Sequence, residues 1–529
     1  MRAWTPARSR QSSITQHLAD FTESMTKGEK RVTTVNSDVA ADGAEDDSRP
    51  KADPRRWWVL ALLSGLQFMI LLDMTVVNVA LPLVQDSLGF SEAGLTWVVN
   101  GYVLAAGGLL ILGGRLADVF GRRRLLLTGV GIFAVSSAVC GAAVVPGMMV
   151  VGRFAQGAAE AIAAPASLGL IALLFTDPKE RNKALGIWGG LVALGGTLGY
   201  IVSGVLTDLT SWRWLFYINL PVALAVLVAI PRMVTESRME REKDQGLDIA
   251  GAVTSTAGLV AIVYGLLQAA EHPWESASVV LPLAGGIALL LATLIIERRA
   301  KNPLIPLDFF ANRTRSVING TSLFFMAAFI SYTFILTLFE QHVLKYSPLE
   351  TGLAYLPLGF GIGIGIGVGT ALTPRVGVRA IVAAGFIGAG VGLLLTSMID
   401  VDTDYVGGIL PGMVVFGVCA GATMPAATSA ALHQVTSQNS SLASGVQNTM
   451  QQIGGALGLA VLVPLAIRYT TSEIQDGVPV EVAVTSGYAL AFRVGAALMI
   501  IGGVLIMALF ERVDPELRDP TSEIVGQTR

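Results

Sequence analysis

The stretch "GRLADVFGRRRLL", Gly114–Leu126, separates two long apolar runs. Gly114 would allow two helices to approach closely, and Asp118 lies where a helix ends and its carboxylate can pair with a neighbouring cation or a helix N-terminus. Gly121 would then turn the chain, because glycine adopts backbone angles that other residues avoid. Arg122–Arg124 would hold this turn at the inner, anionic surface of a membrane. A basic cytosolic turn between two spans is the simplest interpretation.

The composition of the whole chain is that of a polytopic membrane protein. Of its 529 residues, 53% are hydrophobic and only 14% are charged, and the mean hydropathy is +0.62. A soluble domain has roughly 25% charged residues. The 59 glycines suit helices that must pack closely without a hydrophobic force between them.

The composition also excludes several kinds of site. The two cysteines, Cys140 and Cys419, lie in apolar runs, and the four histidines are scattered. A disulfide scaffold, a thiolate metal site and a zinc motif are therefore excluded. No GxxxxGK[ST] sequence occurs, so a P-loop ATPase is excluded as well. We expect no cofactor, no metal, no nucleotide and no catalytic residue.

A glycine-rich run, "GFGIGIGIGVG" at Gly359–Gly369, resembles a phosphate loop only superficially. It lies within an apolar run, follows no strand and has no lysine partner. It predicts close helix packing through Gly361, Gly365 and Gly369.

Fourteen apolar runs are long enough to cross a bilayer, which requires about 20 residues. They cover residues 57–83, 93–116, 125–145, 148–175, 184–206, 214–230, 249–269, 278–296, 316–338, 353–372, 380–399, 405–432, 446–467 and 488–510. Tight turns are expected at Pro146–Gly147 and Trp212–Arg213. Residues 1–53 are rich in Ser, Thr, Asp and Lys, and we expect them to form a disordered cytosolic tail.

Basic residues give an independent test of this topology, because Lys and Arg collect on the cytosolic side. Alternate connections hold Arg55, Arg56, Arg122–Arg124, Lys179, Arg181, Lys183, Arg238, Arg241, Lys243, Arg298, Arg299, Lys301, Arg313, Arg315, Arg375, Arg379 and Arg512. The other connections hold only Arg213, Lys345 and Arg468. Both termini are therefore expected in the cytosol, and the acidic turn Asp400–Asp404 outside.

The first span contains polar groups in "LDMTVVNVALP", Leu72–Pro82, which includes Asp73 and Asn78. A charge at mid-bilayer costs at least about 2.5 to 3.5 kcal/mol, so an acid there indicates a function.

The fourth span, "GRFAQGAAEAIAAPASLGLI" at Gly152–Ile171, places Arg153, Gln156, Gly157 and Glu160 on one helix face. Arg153 and Glu160 would lie about 10 Å apart along the axis, too far to pair. Asp73 is therefore the expected partner of Arg153. Glu160 is expected to stay unpaired, which favours it as the proton carrier. The alternative is that Arg153 merely neutralises a carboxylate and so permits folding.

The spacing in Gly114–Leu126 resembles the loop signature of the major facilitator superfamily, G-x-L-a-D-x-x-G-r-[RK]-x-x-l, and the fourth span is similar to that family's R-x-x-Q-G motif. This resemblance implies an all-α integral membrane protein with the major facilitator fold. It also implies that the loop residues Gly114, Asp118, Gly121, Arg122, Arg123 and Arg124 form a latch that holds the outward-open state.

Three further stretches resemble the fourteen-span drug:H⁺ antiporter branch of that family. They are "LDMTVVNVALP", "WRWLFYINLP" at Trp212–Pro221 and "SGVQNTMQQIGGALG" at Ser444–Gly458. In that branch two inserted helices separate two six-helix halves, and the first-span acid lines the central cavity. The resemblance implies halves at residues 54–235 and 310–512, an inserted pair at 247–297 and a cytosolic tail at 513–529. It favours Asp73 as the proton-coupling acid.

The fifth span, "LGGTLGYIVSG" at Leu194–Gly204, resembles the glycine-proline motif of the antiporter branches. It keeps the interface glycines Gly195, Gly199 and Gly204, but Gly196 and Tyr200 stand where prolines are usual. This departure weakens the argument for antiport.

The leading hypothesis is a proton-coupled exporter of amphipathic drugs or antibiotics in the cytoplasmic membrane, with Asp73, Asn78, Arg153, Gln156 and Glu160 at the proton-coupling cavity. Export of one metabolite, lipid or siderophore is the first alternative, and proton-coupled import is the second. No nucleophile-base pair or metal cluster suggests an enzyme, and a sensor would not need intramembrane acids. The expected partners are protons, a small amphipathic substrate and the lipid bilayer, with no nucleic acid, and the expected state is a monomer.

Overall fold

The computed structural model describes residues 55–175, 177–236, 248–300, 303, 307–431 and 440–510. Both predicted tails lie outside this range, as do the connection residues Arg238, Arg241, Lys243, Lys301 and Arg512. Within it, all long regular elements are helices. In chain order they are α1 (Arg56–Leu88), α2 (Glu92–Phe120), α3 (Arg122–Gly141), α4 (Pro146–Leu174), α5 (Pro178–Leu209), α6 (Trp214–Met233), α7 (Ile249–Gln268), α8 (Ala277–Arg299), α9 (Arg313–Val343), α10 (Pro348–Val376), α11 (Val378–Thr396), α12 (Tyr405–Ala431), α13 (Ser440–Gln475) and α14 (Val480–Leu509).

Among the described residues, thirteen of these helices are long and apolar enough to cross a membrane. The remaining helix, α5, has 32 residues and contains the shorter apolar segment Leu198–Leu209. The chain is thus an all-helical, multi-pass membrane protein, and the predicted count of fourteen spans agrees with the structure to within one helix.

The helix ends differ from the predicted spans where polar residues continue a helix. α13 runs on through the polar end of its sequence to Gln475, beyond the predicted end at residue 467. The predicted turn at Pro146–Gly147 was placed too late. The chain turns at residues 142–145, and Pro146 is the first residue of α4, where its missing N–H is not needed.

The helices pack as two groups with the same internal pattern. In the first bundle, α1–α6, the pairs α2/α4, α3/α4, α1/α5 and α3/α6 are in contact. In the second bundle, α9–α14, the pairs α10/α12, α11/α12, α9/α13 and α11/α14 repeat these contacts eight helices later. The pair α7/α8 packs beside α2 and α13.

Two seams join the bundles. At the α2–α13 seam, Thr449 Oγ1 donates a hydrogen bond of 3.0 Å to the Gly107 carbonyl. At the α5–α10 seam, a Cβ atom on Gly204 would lie 2.7 Å from the Pro348 carbonyl oxygen, and one on Gly352 would lie 2.5 Å from the Tyr200 carbonyl oxygen. The α5–α10 seam therefore depends on glycine for backbone contact between the bundles.

Candidate functional site

A buried ion pair lies at the centre of the first bundle. Arg153 Nη1 on α4 is 2.5 Å from Asp73 Oδ2 on α1, and the two side chains are 2% and 0% exposed. Arg153 also donates from Nε to the Val98 carbonyl at 2.8 Å and from Nη1 to Gln156 Oε1 at 2.9 Å. The ring of Tyr102 on α2 lies 4.3 Å from the guanidinium carbon. These contacts compensate the charge of a guanidinium that cannot lose its proton.

The other carboxylate oxygen of Asp73 is held by two amides. Asn219 Nδ2 on α6 donates to Asp73 Oδ1 at 2.6 Å, and Gln156 Nε2 donates to the same oxygen at 3.2 Å. Both amides also donate to Ser137 Oγ on α3, at 3.3 and 2.8 Å. This buried network thus joins α1, α3, α4 and α6.

The helical period brings the α4 residues together. Arg153, Gln156 and Glu160 are three and four residues apart, so they follow one stripe of the helix. Gly157 lies between them, and a Cβ atom on it would be 2.1 Å from the Tyr102 carbonyl oxygen. α2 can therefore approach closely enough for Val98 and Tyr102 to reach Arg153.

Glu160 lies one turn beyond Gln156 and outside the network. The residue is partly exposed, whereas its Oε2 atom is buried without a hydrogen-bond partner. The Tyr102 hydroxyl lies beside the Glu160 carboxyl, and no ion pair to Glu160 occurs within the described stretches. The predicted pairing of Arg153 with Asp73 is confirmed as geometry, whereas the unpaired state of Glu160 stays a prediction.

Asn78, which was predicted to belong to the same site, does not join this network. It is 7% exposed, and its Nδ2 atom donates to the Met74 carbonyl of its own helix at 3.3 Å. Five residues along a helix rotate a side chain by roughly 500°, which turns Asn78 away from the Asp73 face.

Sequence reasoning missed Asn219, Ser137 and Tyr102 as members of the site. Asn219 did carry a signal, because an amide inside the apolar start of a span needs a partner. Ser137 and Tyr102 carried no comparable signal, since hydroxyl groups in spans often bond to their own helix.

The loop Gly114–Leu126 makes most of its contacts within the first bundle. Arg122 donates from Nε and Nη2 to Asp118 Oδ1 at 3.1 and 2.9 Å and from Nη1 to the Gly169 carbonyl of α4 at 3.1 Å. Gly121 turns the chain at φ +103°, as predicted. Arg123 and Arg124 each lie 3.7 Å from the carboxylate of Glu236, and Arg115 donates to the Pro303 carbonyl.

The predicted close approach at Gly114 was wrong by one residue. A Cβ atom on Gly114 would make an ordinary contact of 3.7 Å with Pro165, whereas one on Gly113 would lie 2.0 Å from the Ala161 carbonyl oxygen. Pro165 has no N–H, so the Ala161 carbonyl lacks its usual helical donor. α2 therefore packs against this free carbonyl through Gly113.

The interface glycines of α5 do pack closely. A Cβ atom on Gly195 would lie 3.2 Å from Phe68, and one on Gly199 would lie 1.8 Å from Thr75 Oγ1, both on α1. Gly204 packs at the α5–α10 seam. The glycine run of α10 likewise packs on α12, with Gly365 against the Val418 carbonyl.

No group of three or more His, Cys, Asp or Glu side chains is placed to hold a metal ion in the described ranges. Cys140 and Cys419 are both free thiols, the first buried and the second half-buried.

Comparison with known proteins decides the family. The family model described as Major Facilitator Superfamily matches residues 63–459. The chain belongs to the major facilitator superfamily. This is a family of transporters, which agrees with the two packed bundles and with the polar network inside one of them.

Two relatives within the superfamily are similar over nearly their whole lengths. The puromycin resistance protein pur8 of Streptomyces alboniger is 37% identical over 492 residues, which covers 90% of this chain and 96% of that protein. The cephamycin export protein CmcT of Amycolatopsis lactamdurans is 36% identical over 469 residues, covering 88% and 95%. Among solved structures, a mutant of the nucleoside transporter NupG aligns with a TM-score of 0.60 at 14% identity, covering 86% of this chain and all of that one, and it shows the shared fold.

Proposed function

We propose that this transporter exports small amphipathic drugs or antibiotics across the cytoplasmic membrane in exchange for protons. The names of the relatives, a puromycin resistance protein and a cephamycin export protein, support this substrate class. The basic-residue pattern supports an orientation with both termini in the cytosol, which places the Asp118 loop inside and the end of α5 near Leu209 outside.

The observation that carries the proposal is Glu160. It is an acidic residue in the middle of a membrane-spanning helix, partly exposed as a residue, and its carboxylate Oε2 atom is buried without a hydrogen-bond partner. A carboxyl that is poorly compensated when ionised can take up a proton inside the membrane and release it when its surroundings change. Glu160 is therefore the proton carrier or the group that contacts a cationic substrate.

Asp73 has a different part in this mechanism. Its charge is held by Arg153, Asn219 and Gln156, so its ionised form is compensated. The pair fixes the relative positions of α1, α4 and α6, and it keeps the first bundle rigid while the bundles move against each other. Movement of the two bundles about their two seams would expose the space beside Glu160 to each side in turn.

The test is substrate efflux from proteoliposomes driven by a pH gradient, beside equilibrium binding of the same substrate. Glu160→Gln should abolish proton-driven efflux and retain part of the binding, whereas Asp73→Asn should lower both. Glu271→Gln, an exposed acid between α7 and α8, is the matched control and should behave as the parent. Undiminished proton coupling in Glu160→Gln would return the proton-carrying role to Asp73. Uptake instead of efflux under the same gradient would refute export.

A further inference from the structure

The last turn of α9 holds a carboxylate that this mechanism does not use. Glu340 is 0% exposed, and neither of its carboxylate oxygens has a hydrogen-bond partner among the residues the structure describes. The same residues supply no ion pair to it. An ionised carboxylate in such surroundings costs several kcal/mol, so the arrangement fits a neutral, protonated Glu340.

The turn that carries Glu340 is irregular and contacts the first bundle. Phe339–Val343 forms a wide π turn, closed by a 3.1 Å bond from the Leu344 N–H to the Phe339 carbonyl. The next side chain, Gln341, donates from Nε2 to the Val79 carbonyl of α1 at 2.7 Å. Such turns are rare and are frequent at functional sites.

Among the residues that the structure describes, the titratable groups that interact with Glu340 are tyrosines. They are Tyr200 of α5, Tyr332 of α9, Tyr346 of the connection after α9, Tyr355 of α10 and Tyr405 of α12. Helices α1 and α14 also pack against this turn, and no charged side chain on them acts on Glu340. Burial raises the pKa of the Tyr346 hydroxyl, so it stays neutral over the physiological range. Within this tyrosine cluster Glu340 is therefore the group that can change its charge at ordinary pH. His342 of the same turn interacts with Asp86 and Lys345 instead.

Two of these tyrosines, Tyr200 and Tyr355, form part of the α5–α10 seam. The rings of Tyr200 and Tyr355 stack across it with centroids 4.4 Å apart. The Tyr355 hydroxyl donates to the Thr333 carbonyl at 2.7 Å and lies 2.9 Å from Thr337 Oγ1, so it is bound to the helix that carries Glu340. The backbone contact between Gly352 and Tyr200 closes the seam beside it. Water can reach Glu340 from this side only when α5 and α10 separate.

We propose that Glu340 is a second proton-binding site, which holds its proton while the α5–α10 seam is closed and loses it when the seam opens. Because the closed state binds the proton more tightly, protonation must in turn favour closure by the same factor. A low external pH would therefore keep the seam closed. The proposal rests on the proposed function only for the orientation, which places this seam at the outer face.

Seam opening can be measured without substrate or gradient. Thr351 on α10 is 0% exposed and is next to Gly352, which contacts α5, so a Thr351→Cys thiol should react with a water-soluble maleimide when the seam opens. Its labelling rate in proteoliposomes is divided at each pH by the labelling rate of Lys345→Cys. Lys345 is exposed, so this ratio corrects for the pH dependence of the thiol's own reactivity. The parent, with its two native cysteines, gives the background. The corrected rate should rise with pH by up to about tenfold per unit, the limit for one coupled proton.

Three variants in the Thr351→Cys background decide the assignment. Glu340→Gln should label slowly at every pH, and Glu340→Asp should keep the pH dependence. The control Asp402→Asn, an exposed acid on the same side, should behave as the parent. A Glu340→Gln profile that rises with pH as in the parent would overturn the proposal. A loss of drug export with this labelling pattern intact would instead count against the proposed function alone.

A measurement on the unaltered protein covers the case in which Glu340→Gln does not fold. Dicyclohexylcarbodiimide modifies protonated carboxyls in apolar surroundings, and mass spectrometry locates the product. At pH 8 we expect modification at Glu340 and little at exposed Glu350. Equal modification of the two, or none at Glu340, would refute a stable protonated carboxyl there.

Discussion

Removing either charge of the Arg153–Asp73 pair should destabilise the protein, but not equally. Breaking one partner of a buried pair costs about 3 to 5 kcal/mol because the other charge stays buried. In Asp73→Asn, Arg153 keeps its charge. The NH₂ group of the new amide either faces the guanidinium, which is also a donor, or takes the place of the oxygen that accepts the Asn219 hydrogen bond. The Val98 carbonyl and Gln156 still accept hydrogen bonds from Arg153, so we expect the lower end of this range. The free energy of unfolding should fall by about 3 kcal/mol, which raises the unfolding equilibrium constant roughly 150-fold.

Arg153→Gln should cost less, about 1 to 2 kcal/mol, because Asn219 and Gln156 still donate hydrogen bonds to the Asp73 carboxylate. The double variant Asp73→Asn/Arg153→Gln buries no charge and should be more stable than Asp73→Asn alone. Equilibrium unfolding in mixed detergent micelles, followed by tryptophan fluorescence, gives the four free energies. Additive costs, within about 0.5 kcal/mol, would show that the two charges do not interact and would refute this reasoning.

Three further outcomes are expected. Asp118→Asn should leave membrane insertion intact and slow transport turnover, because an amide cannot hold the ionic contact with Arg122. The control Asp208→Asn, at an exposed acid, should match the parent. An unchanged turnover rate for Asp118→Asn would mean that the loop is only a structural turn. Single cysteines at Asp402 and Ser276 should label from outside intact cells and one at Arg123 should not, and labelling at Arg123 would contradict the proposed topology. Gly365→Ala should lower the melting temperature, because its Cβ would lie 2.1 Å from the Val418 carbonyl oxygen. The control Gly363→Ala, whose Cβ would have nothing within 4 Å, should be neutral or stabilising by up to about 1 kcal/mol. The reverse order of melting temperatures would show that α10 and α12 do not meet through Gly365.

The spans and the central pair could be predicted from the sequence because both follow from strong, local rules. Apolar runs of about 20 residues must cross the bilayer as helices, and a buried Arg153 needs an anion. The helical period put Gln156 on the same face as Arg153. Asp73 was the acid left for the pair because Glu160 was too far along the axis.

Other features depend on how each helix is rotated, which no short sequence pattern specifies. One residue corresponds to roughly 100° of rotation, so Gly113 and not Gly114 faces α4. The same rotation separates Asn78 from Asp73 and brings Asn219 to it. Glu340 was missed for another reason, since the apolar run was taken to end at Leu338, whereas the helix continues through one wide turn into the seam between the bundles.

The helix pair α7/α8 couples the thickness of the surrounding bilayer to the packing of the transporter. α8 has 23 residues, about 34 Å of helix, and most of its surface faces outward, whereas the hydrocarbon core of a bilayer is about 30 Å thick. A change in bilayer thickness would therefore tilt this pair. Thr256 of α7 packs on Gly108 of α2, next to the residue that bonds to α13, and Arg468 of α13 donates to the Ala269 and His272 carbonyls at the other end of α7. Tilting the pair would strain the α2–α13 seam directly. Acyl-chain length should therefore shift the equilibrium between the open and closed arrangements of the two bundles, even when neither substrate nor pH changes.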